Sequence, residues 1–202
     1  NIANAAFFTV FYVPLVPILL FIIYSQKIHW SIWPAIGLCV VGVYLLSDFS
    51  NSEIMLGDAL VILCSVFWAL HIIFAGKFME TFDIPIFYAA LQGLLVATLS
   101  VISAYIFEDI IISNILLESY SIIYAGVLSG GIAFTLQMFA QKNIEEAPAA
   151  IIYSLEGVFA AIAAWIILGQ ILNINNIVGC FLILIAVIFS QLAPSIKKTN
   201  YK

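Results

Sequence analysis

Residues 148–169 read PAAIIYSLEGVFAAIAAWIILG, and this stretch decides the class of the chain. About 20 apolar residues in one helix match the hydrocarbon core of a bilayer. Near the middle stands a carboxylate, Glu156, followed at once by Gly157. An ionisable group at that depth is costly unless it faces a bundle interior, water or a partner. Glu156 is therefore a candidate functional residue. The plainer alternative is a glutamate held by neighbouring helices for packing alone.

The composition around it agrees. Hydrophobic residues make up 65% of the 202 and charged residues 8%, with a mean hydropathy of +1.19. Soluble domains carry about 25% charged residues, so the chain reads as a polytopic membrane protein. Six lysines, no arginine and eleven acids leave no surface suited to nucleic acid phosphates. Cys39, Cys64 and Cys180 lie in apolar runs without metal-type spacing and read as small core residues. Neither a metal nor a cofactor is expected. No signal-peptide or lipidation pattern is expected at either end. The start at Asn1, close to an apolar run, reads as that of a fragment.

Seven hydrophobic segments follow, at about 4–24, 32–48, 57–76, 85–107, 120–141, 148–168 and 177–193. The longest connection, Glu108 to Ser119, has an apolar middle and is expected to form a short interfacial turn. All six lysines, at 27, 77, 142, 197, 198 and 202, fall on one side of such a topology. The acids Asp48, Glu53, Asp58, Glu108, Asp109 and Glu118 fall on the other. The positive-inside rule then makes the C-terminus cytoplasmic and Asn1 external.

A shift of 144 positions lays the first segment on the sixth. Ala5 and Ala6 meet Ala149 and Ala150, Ile18 meets Ile162, Ile22 and Ile23 meet Ile166 and Ile167, and Gln26 meets Gln170. Gly37 meets Gly179 after a two-residue slip. The first segment runs inward and the sixth outward, the pattern of an inverted-topology repeat in secondary transporters. Residues 1–56 are read as the end of a first repeat with two helices, and 57–202 as a second repeat of five helices with a short cytoplasmic tail. Three helices would precede Asn1 in a ten-helix protein.

These features resemble the EamA-like permeases of the drug/metabolite transporter superfamily. The resemblance lies in Ala5-Ala6-Phe7-Phe8-Thr9 leading to Tyr12-Val13-Pro14, in Gly57-Asp58 ahead of Phe67-Trp68-Ala69, and in Ala149 to Phe159 with Leu168-Gly169. It covers essentially the whole chain, as the last seven of ten helices. It implies an all-α transmembrane bundle, located in a bacterial inner membrane, that exports a small metabolite or drug-like molecule. The family commonly places Pro after the central Glu, where this chain has Gly157, and often Glu where it has Gln170.

In an inverted-repeat transporter, solute binds near the midplane where equivalent helices are interrupted. Here those helices carry Pro14 with Pro17, and Glu156 with Gly157. Proline frees a carbonyl that can face a cavity, although an ordinary packing kink is the alternative. At the offset of 144, Tyr12 stands opposite Glu156. His71, on a stripe with Cys64, Trp68 and Ala75, is a proton-relay candidate with Glu156, against a structural histidine. Gln92 and Gln137 would bond a polar solute or glue helices together. Trp68, Tyr12 and Tyr153 would cover a cationic solute or simply pack.

Small residues four apart, Gly126 with Gly130, Ala89 with Gly93 and Ala160 with Ala164, fit either close contacts in the bundle or a homodimer. GxSxG, HExxH and paired-aspartate motifs are absent, and no loop suits ATP phosphates, which argues against an enzyme. None of the seven hydrophobic segments contains a lysine for a Schiff base, which argues against a retinal-type receptor. The expectation is a secondary transporter of a small molecule, with a proton as candidate coupling ion and alternating access about a midplane site. The alternative is a non-transporting assembly or signalling subunit.

Overall fold

The computed structural model describes residues 7–47 and 56–199. Ala5, Ala6, Asp48, Glu53 and Lys202 lie outside them. Every described element is a helix: α1 (Phe7–Tyr24), α2 (Ile32–Ser47), α3 (Leu56–Phe82), α4 (Pro85–Phe107), α5 (Ile112–Leu117), α6 (Ser119–Gln141), α7 (Glu146–Leu168) and α8 (Ile174–Thr199). Six of these are long and apolar enough to cross a membrane, and α2 is a shorter apolar helix. The protein is an all-α, multi-pass membrane bundle. The seven segments expected from hydropathy all form, and the Glu108–Ser119 connection folds as the six-residue helix α5.

The chain divides into two compact units. The first comprises Asn1–Phe74 with Glu145–Lys202, the second Ala75–Ile144. This division differs from the boundary at residue 57 expected from sequence, because α1 and α2 share the first unit with α7 and α8.

The first unit has a core of Val13, Val16 and Leu20 from α1, Ala35, Cys39 and Val43 from α2, Ile72 from α3, Ala150 and Ile151 from α7, and Ile183 from α8. Its most extensive pairing is α2 against α8. Lipid supplies no hydrophobic drive between helices, so close approach at small residues has to hold such a pair. A Cβ on Gly42 would lie 2.8 Å from the Gly179 carbonyl oxygen, and one on Gly179 would lie 3.0 Å from the Leu46 amide nitrogen. The Asn176 side chain also donates to the Leu46 carbonyl at 3.0 Å. Advancing from Gly42 to Leu46 thus means stepping back along α8, so the two helices are antiparallel.

The second unit packs Ala75 and Met79 of α3 against Met138 of α6, with Phe78, Tyr88 and Ala89 around them. In α4 only Pro85 is buried. Its outward Leu, Val, Ile and Phe side chains would be untenable in water and are ordinary against acyl chains. Lys142 pairs with Asp83 at 2.7 Å, which puts the turns ending α3 and α6 on one side. Asp83 takes positive φ (43°), a conformation aspartate tolerates, and after Ile84 at the N-cap Pro85 opens α4.

One sequence reading is corrected. Cys39 is fully buried, but Cys64 is exposed, so it is no core residue. An apolar thiol on an outward face is tolerated in lipid as well as in a core. The middle of α6, Ala125–Ala133, is a π-helix rather than a regular α-helix. Gly126, Gly130 and Gly131 weaken the regular ladder there and allow the wider turn.

Candidate functional site

Both α1 and α7 are interrupted, at positions 144 residues apart. In α1 the break falls at Val10–Phe11. Pro14 has no N–H to offer the Val10 carbonyl, which instead accepts from Val13 at 2.9 Å. In α7 the break falls at Ser154, which is Val10 plus 144. No proline causes it. The Ser154 hydroxyl bonds back to the Ile151 carbonyl, and the Gly157 amide reaches the Ser154 carbonyl at 3.2 Å, so the turn before Glu156 is tightened. The helix ends match as well. Ser25 (φ 52°) and Gly169 (φ 64°) both cap in the left-handed conformation. Beyond them the Gln26 and Gln170 amides bond to Leu20 and Ala164, six residues back. Each of these positions differs from its counterpart by 144.

A cavity of about 540 Å³ lies at the two breaks, within the first unit. Helix α1 contributes Thr9, Val10 and Tyr12, and α2 contributes Val43, Leu46 and Ser47. From α7 come Tyr153, Ser154, Glu156 and Gly157, with Ala160, Ala161 and Ala164 continuing the wall. Gln170 and Asn176 also line it, and Asn176 is bonded to Leu46 near the end of α2. Glu156 sits ten residues into α7, about 15 Å along a helix of 1.5 Å rise and so near the middle of the hydrocarbon. Its side chain is exposed to the cavity. Gly157 faces Leu46, whose Cδ2 a Cβ would meet at 3.3 Å. The Tyr153 hydroxyl is buried with no hydrogen-bond partner among the described residues.

Of the residues singled out from sequence, Tyr12, Glu156 and Gly157 thus line one cavity. Pro14 shapes the wall without lining it. Trp68 stands edge-on to Tyr12, with ring centroids 6.5 Å apart, and stacks on His71 at 5.1 Å. This aromatic row backs the cavity, and neither Trp68 nor His71 lines it. Gln92 and Gln137 lie in the second unit, where Oε1 of one and Nε2 of the other are buried without a partner among the described residues. Sequence reading passed over Thr9, Ser47, Ser154 and Asn176. The 144 offset carried a signal for Ser154, because it is the counterpart of the kinked Val10.

Among the described residues, no group of three or more His, Cys, Asp or Glu is placed to hold a metal. Among the described residues the site offers one carboxylate, several hydroxyls and amides, and a largely apolar wall.

The EamA-like transporter family model matches residues 55–192. An uncharacterized transporter of Archaeoglobus fulgidus is 31% identical over 193 residues, 94% of this chain and 60% of that protein. An uncharacterized transporter of Clostridium kluyveri is 24% identical over 192 residues, 89% of this chain and 60% of that protein. The chain thus spans about 60% of the length of these relatives.

Proposed function

The chain belongs to the EamA-like transporter family, and from that premise we propose that it is part of a secondary transporter that exports a small molecule through the cavity at Glu156. The observation that carries this reading is the pair of helix breaks at Val10 and Ser154, equivalent in the repeat and both lining one cavity. Broken helices leave carbonyls and hydroxyls available to solute at membrane depth, where regular helices offer only side chains. The antiparallel crossing of α2 with α8 supports an inverted arrangement of two halves, divided at about residue 57.

With the lysine-rich side and the C-terminus in the cytoplasm of a bacterial inner membrane, the end of α2 and the 169–173 connection face outward. The cavity is then open to the outside. Rocking of the halves closes this mouth and opens the inner side, which is alternating access. Glu156 takes part by binding solute or exchanging a proton, and an ion gradient or exchange supplies the energy. His71, behind Trp68, extends the polar row behind the site. Gln92 and Gln137 are proposed to bond solute or hold helices together, and a homodimer is compatible with the Gly126–Gly130 spacing.

The test is substituted-cysteine labelling of the full-length protein at Ala161, with the native cysteines replaced. A membrane-impermeant maleimide should label this position from the outside, and from the inside once the carrier turns over. Labelling from neither side would overturn the reading.

A further inference from the structure

We infer that the solute of this cavity is an amine-bearing organic cation with an apolar body, and that Glu156 is its counter-ion; the inference rests on the permease reading above. Among the described residues, Glu156 is the only Asp, Glu, Lys or His that lines the cavity, and the chain contains no arginine. The local field therefore has one sign, and low-dielectric walls strengthen it. A carboxylate-bearing solute would meet like charge, with no cation among the described lining residues to offset it. A zwitterion would gain at one end and lose at the other.

The remaining wall fits the same solute. Tyr153 lines the cavity together with Glu156, and its ring adds an aromatic surface. Tyr12 lines the cavity beside it, and tyrosine rings attract cations across their faces. Ala160, Ala161 and Ala164 leave room for the apolar part. At about 540 Å³ the space lies within the ordinary range for small ligands.

The test uses the full-length protein with three radiolabelled probes on one scaffold: phenethylamine, a cation; phenylalanine, a zwitterion; and phenylacetate, an anion. Equilibrium binding is measured in detergent, and movement across the wall of proteoliposomes separately. Phenethylamine is expected to bind about tenfold tighter than either of the others. Glu156→Gln should abolish this preference and Glu156→Asp retain it, both remaining monodisperse. If Glu156→Gln does not fold, the ranking of the three probes on the wild type decides. Equal binding of all three, tighter binding of phenylalanine or phenylacetate, or no binding of phenethylamine overturns the amine assignment. Tight phenethylamine binding without movement across the vesicle upholds that assignment and overturns the permease reading. Movement of phenylacetate without phenethylamine does the reverse.

Discussion

Gly42 of α2 and Gly179 of α8 meet backbone to backbone: a Cβ added to Gly179 would stand 2.5 Å from the Gly42 carbonyl oxygen. No side chain separates the two helices there, so any added atom must push backbone. Gly179→Val is expected to cost about 1–3 kcal/mol, the range for overpacking a close contact. Gly37 has nothing within 4 Å of its Cβ position, so Gly37→Ala should be neutral or slightly stabilising. Thermal unfolding of both variants in detergent checks the contrast.

Replacing Pro14 by Ala restores an N–H for the Val10 carbonyl and lets α1 run unbroken through Phe11. Thermal stability should hold or rise, since an interior proline costs up to about 3 kcal/mol against alanine. Solute flux should fall, because the break lines the cavity. Flux equal to wild type would show that the break at Val10 plays no part in transport.

Asn173 and Asn176 cap α8 reciprocally, each side-chain oxygen accepting the other's amide, at 3.0 and 2.9 Å. Asn176 also satisfies the Leu46 carbonyl at the end of α2. Asn173→Ala is expected to cost about 1 kcal/mol, as for a lost cap. Asn176→Ala should cost more, by about 1 kcal/mol, because the bond between helices goes too. Equal unfolding temperatures for the two would contradict this.

Cysteines placed at Lys27 and Lys142 are expected to react with an impermeant maleimide from the cytoplasmic side alone. One at Ile171, 94% exposed in the connection after α7, should react from the outside alone. Labelling of whole cells and inverted vesicles distinguishes the two patterns.

The seven apolar helices, the acid at 156 and the offset of 144 between α1 and α7 were legible because each is a pattern in the chain itself: apolar length, one carboxylate among alanines, a constant shift. The break at Ser154 was not, since serine usually sits in a membrane helix without interrupting it. Gly179 aligns with Gly37 in sequence yet packs on Gly42, because antiparallel helices touch where they cross rather than at equivalent positions. The spacing of Cys64, Trp68, His71 and Ala75 suggested one face. In the structure Cys64 is exposed, Trp68 and His71 are half-buried and Ala75 is buried, because a long helix turns different flanks to different neighbours. The cavity itself depends on Leu46 of α2 and three small alanines of α7 lining one space, a relation between helices that no single segment carries.

The central claim, that solute passes by way of the carboxylate at Glu156, is tested most directly by solute flux through full-length Glu156→Gln in proteoliposomes. The account predicts flux at the level of empty vesicles, with insertion and helix content unchanged. Flux equal to wild type would contradict it.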